Sequence, residues 1–233
     1  MSESPETALI VGAGSGLSAS LARLLAAEGM AVALAARDPG KLAALCAATG
    51  ARAYRCDATL PQEVSTLFEA VSRDVGDPGL VVFNSGMRVQ GTVDTLAPER
   101  VHEALLANAF AGFLVGQQAA RRLLARGRGT ILFTGATASV KGFAQSAPFA
   151  MGKFGLRGLA QSMARELAPK GIHVAHIVID GGIASSYARN DAERAAERFL
   201  DPDAIARSYL HLHRQARSAW SWEIELRPWT EAF

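Results

Sequence analysis

The feature that most constrains the fold is an alternation of short apolar runs with segments patterned for helix. Ala8-Leu9-Ile10-Val11 ends in a glycine cluster, and Leu17, Leu21, Leu24 and Leu25 follow at helical spacing until Gly29. Val32–Ala35 is a second run. Asp38-Pro39 then reads as an N-cap with proline at the first helical position, opening a helix to about Thr49. Ala51–Arg55 is a third strand, Pro61 opens a helix to about Asp74, and Leu80-Val81-Val82-Phe83 is a fourth strand. That fourth run is apolar on both faces, as a strand covered from both sides should be. A long helix follows over roughly Pro98–Ala125, then a strand at Thr130–Phe133, a helix at Phe149–Leu167 and a strand at Val174–Ile179. Alternation of this kind predicts an α/β fold: a doubly wound parallel sheet with helices on both faces and right-handed crossovers.

Composition suits such a core. Of 233 residues, 49% are hydrophobic and 20% charged, which excludes a disordered chain, and a net charge of +2 gives no reason to expect nucleic acid. Two cysteines, Cys46 and Cys56, exclude a disulfide framework and a zinc cage. The first residues hold neither a basic n-region nor a long apolar h-region, and no uncharged apolar run reaches roughly 18 residues. A cytoplasmic protein without membrane contact is expected. The tail differs in texture. Residues 186–214 are charged and helical, with Asp201-Pro202 a second N-cap pair. Trp220–Arg227 alternates strictly, predicting a half-exposed final strand with Trp220 and Trp222 on its apolar side. Glu223 and Glu225 share the other side with no partner in view. His173 and His176 have opposite parity and His211 and His213 are two apart, so no metal site is expected.

Gly12-Ala13-Gly14-Ser15-Gly16-Leu17 lies between the first strand and the first helix. Glycines there let backbone amides approach a pyrophosphate, and a helix N-terminus adds partial positive charge. The alternative is a tight turn without a ligand. Dinucleotide folds often place an acid after the second strand to bind ribose hydroxyls. Here the stretch is Ala35-Ala36-Arg37-Asp38. A guanidinium suits a 2′-phosphate, so NADP(H) is favoured over NAD(H). The plain alternative for Arg37 is a solvated charge paired with Asp38.

Gly12-x-x-x-Gly16, Asp57 after the third strand, Asn84-Ser85-Gly86 after the fourth, Asn108 in the long helix and Lys153 in the next occur in one order. In that order the chain resembles the short-chain dehydrogenase/reductase family over about residues 7–185. The resemblance implies one Rossmann-like domain of about seven parallel strands, a homodimer or homotetramer, and a lid-like segment at about 184–214. It implies that Gly12, Gly14, Ser15, Gly16 and Leu17 hold the dinucleotide. Arg37, Asp57, Ala58, Asn84, Ser85, Gly86 and Lys153 would serve the same cofactor, with Asp57 toward the adenine. Ser18 stands where a third loop glycine is usual, at an expected cost in helix–strand closeness.

The catalytic positions depart from that family. Reducing a carbonyl by hydride leaves an alkoxide that needs a proton, which the family draws from a tyrosine four residues before the lysine. A serine about thirteen residues earlier binds the substrate oxygen, and an asparagine holds a relay water. Here Lys153 and Asn108 remain, but Phe149 and Ala136 occupy the tyrosine and serine positions. A general acid contributes roughly 10²–10⁴ in rate, so the ordinary mechanism is impaired. Thr137, Ser139 and Tyr187 are candidate stand-ins. Asp180-Gly181-Gly182-Ile183-Ala184-Ser185 replaces the family's proline-glycine stretch, which assigns Ile183 to the carboxamide and Ser185 to the pyrophosphate. Asp180 in the proline position has no explanation in the sequence. Two readings follow: an NADP(H)-dependent oxidoreductase acting on a carbonyl or activated C=C bond, or a catalytically inactive dinucleotide binder acting as sensor or partner subunit.

Overall fold

A computed structural model describes residues 5–187, 190, 193 and 197–231, with side chains at 186 and 187 outside the description. Seven strands form one parallel sheet in the order β3-β2-β1-β4-β5-β6-β7. They are β1 (Thr7–Val11), β2 (Ala31–Ala36), β3 (Arg52–Arg55), β4 (Pro78–Phe83), β5 (Gly129–Thr134), β6 (Ile172–Ile179) and β7 (Glu223–Leu226). Leu9 pairs with Val81 across β1 and β4, and Leu132 with Ala175 across β5 and β6. Helix α1 (Leu17–Ala27) and the short α2 (Ala43–Thr49) follow β1 and β2. Then come α3 (Pro61–Asp74), α4 (Pro98–Leu105), α5 (Ala111–Arg126), α6 (Ala147–Leu167), α7 (Ala184–Tyr187) and α8 (Pro202–His213).

The sheet separates two apolar cores, because successive residues of a strand face opposite ways. Leu9, Val81, Phe83 and Ile131 pack with Phe68 of α3, Val115 of α5 and Leu156 of α6. Ile10, Leu34, Val82 and Ile177 pack with Leu21 of α1 and Tyr209 of α8. Burial on both faces is what made β4 read as an unbroken apolar run.

Two expectations are corrected and one is refined. The long helix runs from Pro98 to Arg126 as expected, but Leu106–Phe110 within it is a π-helical turn between α4 and α5, and Asn108 sits in it. The final strand is shorter than its alternation, since Trp222 packs on the α6 side while Ile224 and Leu226 pack on the α1 side. The second half of the lid-like segment is core: Ile205, Tyr209 and Leu212 of α8 are buried. Asp201 caps α8 by accepting from Asp203 N at 3.0 Å, with Pro202 at the first helical position, as the sequence predicts.

Candidate active site

The strand order reverses between β1 and β4, and α/β sheets bind ligands beyond the carboxyl ends of strands at such a switch point. The glycine loop lies there, pressed onto β4. Gly12 has φ +87°, and a Cβ on it would stand 2.8 Å from the Asn84 carbonyl carbon and oxygen and from Ser85 N. Asn84 N donates to Val11 O at 2.8 Å. Ser18 does not loosen this contact. Its buried hydroxyl donates to Gly12 O at 3.2 Å and accepts from Asn84 Nδ2 at 2.7 Å, tying loop, helix and strand together. The α1 N-cap is Gly16, which has no side chain to cap the helix, so first-turn amides stay available to an anion. Leu17 sends its side chain into the core.

A groove of about 390 Å³ runs over this loop, lined among others by Gly12, Arg37, Asp57, Ala58 and Asn84. Space beside Gly14 is open. Asp38 accepts from Gly40 N at 3.1 Å and faces Lys41 at 3.5 Å, so it is not the partner of Arg37. Burial pushes the Asp57 carboxyl up, but hydrogen bonds from Thr59 and the charges of Arg37 and Arg55 outweigh it and hold it below its usual value. Ser185 meets Ser15 and Gly16 around a neighbouring cavity of about 490 Å³. These surfaces fit a nicotinamide dinucleotide: an amide-rich turn for phosphates, a cation at the ribose end, and an elongated trough.

The groove shares Asn84, Ser85 and Gly86 with a second cleft of about 310 Å³, lined also by Ala136, Phe149, Lys153 and Ile183. Lys153 is 4% exposed, and its Nζ donates to Thr134 O at 2.8 Å and Ser85 O at 3.2 Å. Burial, helped by the charge of Arg88, pushes it down to about 8. Two of its three N–H groups are spent on carbonyls, which leaves one for a ligand. The Phe149 ring lies 5.8 Å from Nζ. Lys153 and Phe149 share a face of α6, and Gly152 between them lets the helix meet the π turn, where a Cβ would stand 2.5 Å from that of Asn108.

Asn108 is fully buried, and its side chain is committed to structure. Nδ2 donates to Met87 O and Ala104 O, both at 2.8 Å, and Oδ1 accepts from Met87 N at 3.2 Å. It fixes the loop after β4, so a water at this position would have to rest on backbone groups of the π turn. The stand-in hydroxyls fare differently. Ser139 is buried and accepts from Ala136 N at 3.1 Å, and neither it nor Thr137 lines the cleft. The Tyr187 side chain lies outside the described residues.

Sequence reasoning missed several pairings that only the packed sheet reveals. Asp180 is buried against Arg227 at 2.7 Å, which explains the carboxylate in the proline position. Glu223 is not partnerless: Arg157 donates to both its oxygens at 2.6 and 2.7 Å, and His176 Nδ1 lies at 3.0 Å. Glu225 pairs with Arg227. Burial pushes His176 down to about 4 against the pull of Glu223. Arg88, which no motif marked, also lines the cleft, with its guanidinium carbon 4.8 Å from the Phe149 ring centre. Among the described residues, no cluster of His, Cys, Asp or Glu is arranged to hold a metal ion.

Comparison with known proteins agrees with this geometry. The family model for short chain dehydrogenases matches residues 6–196. The chain is 31% identical over 186 residues to a 3-oxoacyl-acyl-carrier-protein reductase, MabA, of Mycobacterium avium, covering 80% of this chain and 70% of that one. The crystal structure of a short-chain dehydrogenase from Rhodopseudomonas palustris superposes with a TM-score of 0.84 at 38% identity, covering 96% of this chain and 99% of that one. A metagenomic short-chain oxidoreductase in complex with NADP superposes with a TM-score of 0.83 at 27% identity, covering 97% and 98%. With its seven parallel strands, its glycine loop at the switch point and its buried lysine on α6, the chain belongs to the short-chain dehydrogenase family of oxidoreductases, whose cofactors are nicotinamide dinucleotides.

Proposed function

We propose that this protein is an NADP(H)-dependent oxidoreductase that reduces a carbonyl or an activated C=C bond with a non-standard proton donor, since Phe149 and Ala136 stand at the usual tyrosine and serine positions. The observation that carries the reading is Lys153, a buried ammonium held by two backbone carbonyls where the two grooves join, with a proton left to give. Burying a lone cation is costly, and a ligand that uses its free N–H offsets the cost.

Gly12, Gly14, Ser15, Gly16, Leu17 and Ser185 would hold the pyrophosphate, Asp57 and Ala58 the adenine end, and Arg37 a 2′-phosphate. Asn84, Ser85, Gly86 and Lys153 would hold the nicotinamide ribose, and Ile183 the carboxamide. When bound, the dinucleotide supplies hydride. Lys153 holds one proton close to physiological pH, being pushed down to about 8, and orients whatever oxygen lies beside it. Phe149 closes that side with an apolar wall that donates no proton. The proton therefore comes from water at Lys153 and the π turn, or from Tyr187.

The second reading, a dinucleotide-binding protein without turnover, is favoured by the same two positions, since neither Phe149 nor Ala136 can act as acid. Exposed Phe110 and Phe113, stacked at 6.2 Å, and Met151 and Phe154 on α6 support a homodimer or homotetramer. Its free thiols, Cys46 and Cys56, support a cytoplasmic setting.

Calorimetric titration with NADPH and NADH tests the cofactor assignment. NADPH should bind more tightly, and Arg37→Ala should remove about 1.5–3 kcal/mol of that preference while sparing NADH. Failure to bind either dinucleotide refutes the proposal. Binding without turnover across a panel of ketones and enones selects the second reading.

A further inference from the structure

Arg88 lines the cleft but takes no part in the dinucleotide site. Its position is imposed from below. Asn108 holds Met87 by both backbone groups, at 3.2 and 2.8 Å, so the chain enters residue 88 in a fixed direction. The guanidinium carbon then lies over the Phe149 ring, 4.8 Å from its centre, while Lys153 Nζ stands 5.8 Å from the same centre. Two cations thus stand against one aromatic ring in the lining of the same cleft of about 310 Å³.

Among the described residues no carboxylate balances them. Among the described residues, Arg88 forms no ion pair, and no Asp or Glu lines the cleft. Asp180, which follows the lining residue Ile179, is spent on Arg227 at 2.7 Å. The cleft is net positive against an apolar wall of Phe149, Ile179 and Ile183, and charge acts more strongly where water is displaced. A guanidinium fork matches a carboxylate in two parallel hydrogen bonds.

We propose that Arg88 is a substrate-recognition residue and that the substrate is an oxo or enoyl acid, with its carboxylate on Arg88 and its reacting carbon toward Lys153. The proposal rests on reading this cleft as the reducing site. A neutral ketone would cover Arg88 without pairing it, whereas an acid pairs it, so the site discriminates by charge.

The test titrates acid and ester pairs into the protein with NADP+, where no hydride is available and binding is read alone. Benzoylformate is compared with methyl benzoylformate, and acetoacetate with methyl acetoacetate. At least one acid should bind about tenfold or more tightly than its ester. Arg88→Gln should erase that difference and Arg88→Lys should keep part of it, both with unchanged NADP+ affinity. Equal binding of acid and ester, a preference that survives in Arg88→Gln, or no binding by either acid overturns the proposal. If NADP+ itself fails to bind, the same pairs are titrated into the free protein. An acid preference lost in Arg88→Gln there upholds Arg88 and refutes the dinucleotide assignment instead.

Discussion

Replacing Phe149 with tyrosine and Ala136 with serine adds a hydroxyl at each position where this cleft offers none. The Phe149 ring centre lies 5.8 Å from Lys153 Nζ. Because Nζ lies over the ring face, a para hydroxyl in the ring plane stands roughly 6 Å from it, where a unit charge at an effective dielectric of about 20 favours phenolate by about 3 kcal/mol. That is about two pKa units, of which burial takes back a part, so a phenol that ordinarily titrates near 10 would do so at roughly 9. It would then be a competent acid at neutral pH. The double variant should reduce generic ketones about 10²–10⁴ times faster than the parent, followed as loss of NADPH absorbance. The gain depends on a charged Lys153, which burial and Arg88 push down to about 8, so it should be full near neutral pH and fall as pH rises above about 8. A folded double variant that binds NADPH as the parent does, yet shows no gain, refutes the reasoning that only the acid is missing.

Other consequences are open to direct measurement. Gly12→Ala puts a Cβ 2.8 Å from three backbone atoms at a positive φ, and should cost about 2–4 kcal/mol in denaturant unfolding and weaken NADPH binding; unchanged values would show that the loop is not pressed onto β4. Arg227→Met strands the buried Asp180 carboxylate and should destabilise by about 3–5 kcal/mol, part of which Asp180→Asn in the same chain recovers; additive effects would show that the pair does not interact. His176 is buried and neutral with its pKa lowered to about 4, so the folded state takes up its proton later than the unfolded chain. Its contribution is fully present above about pH 6.5 and is lost as pH falls from about 6.5 toward 4, by roughly 3 kcal/mol. His176→Gln should flatten the stability–pH curve across that window, and an unchanged slope would assign the acid sensitivity elsewhere.

What the sequence determined by itself is whatever depends on local order along the chain. Apolar runs of four to six residues, proline-marked helix starts and the glycine loop each act through backbone conformation or period, and these are written in neighbouring residues. Their alternation sufficed for a doubly wound sheet, and the order of Gly12, Asp57, Asn84, Asn108 and Lys153 pointed to the candidate site. What tertiary structure decided is whatever joins residues distant in sequence. Arg227 reaches Asp180, Arg157 and His176 reach Glu223, and Ser18 bridges Gly12 to Asn84 only once β7 and β4 take their places in the sheet. No period or motif encodes such partners, because they are set by which strand lies beside which. The placement of Arg88 over Phe149 is of the same kind. Two residues 61 positions apart in the chain meet because a π turn and its buried Asn108 aim one loop across one helix face, and that meeting gives the cleft its charge.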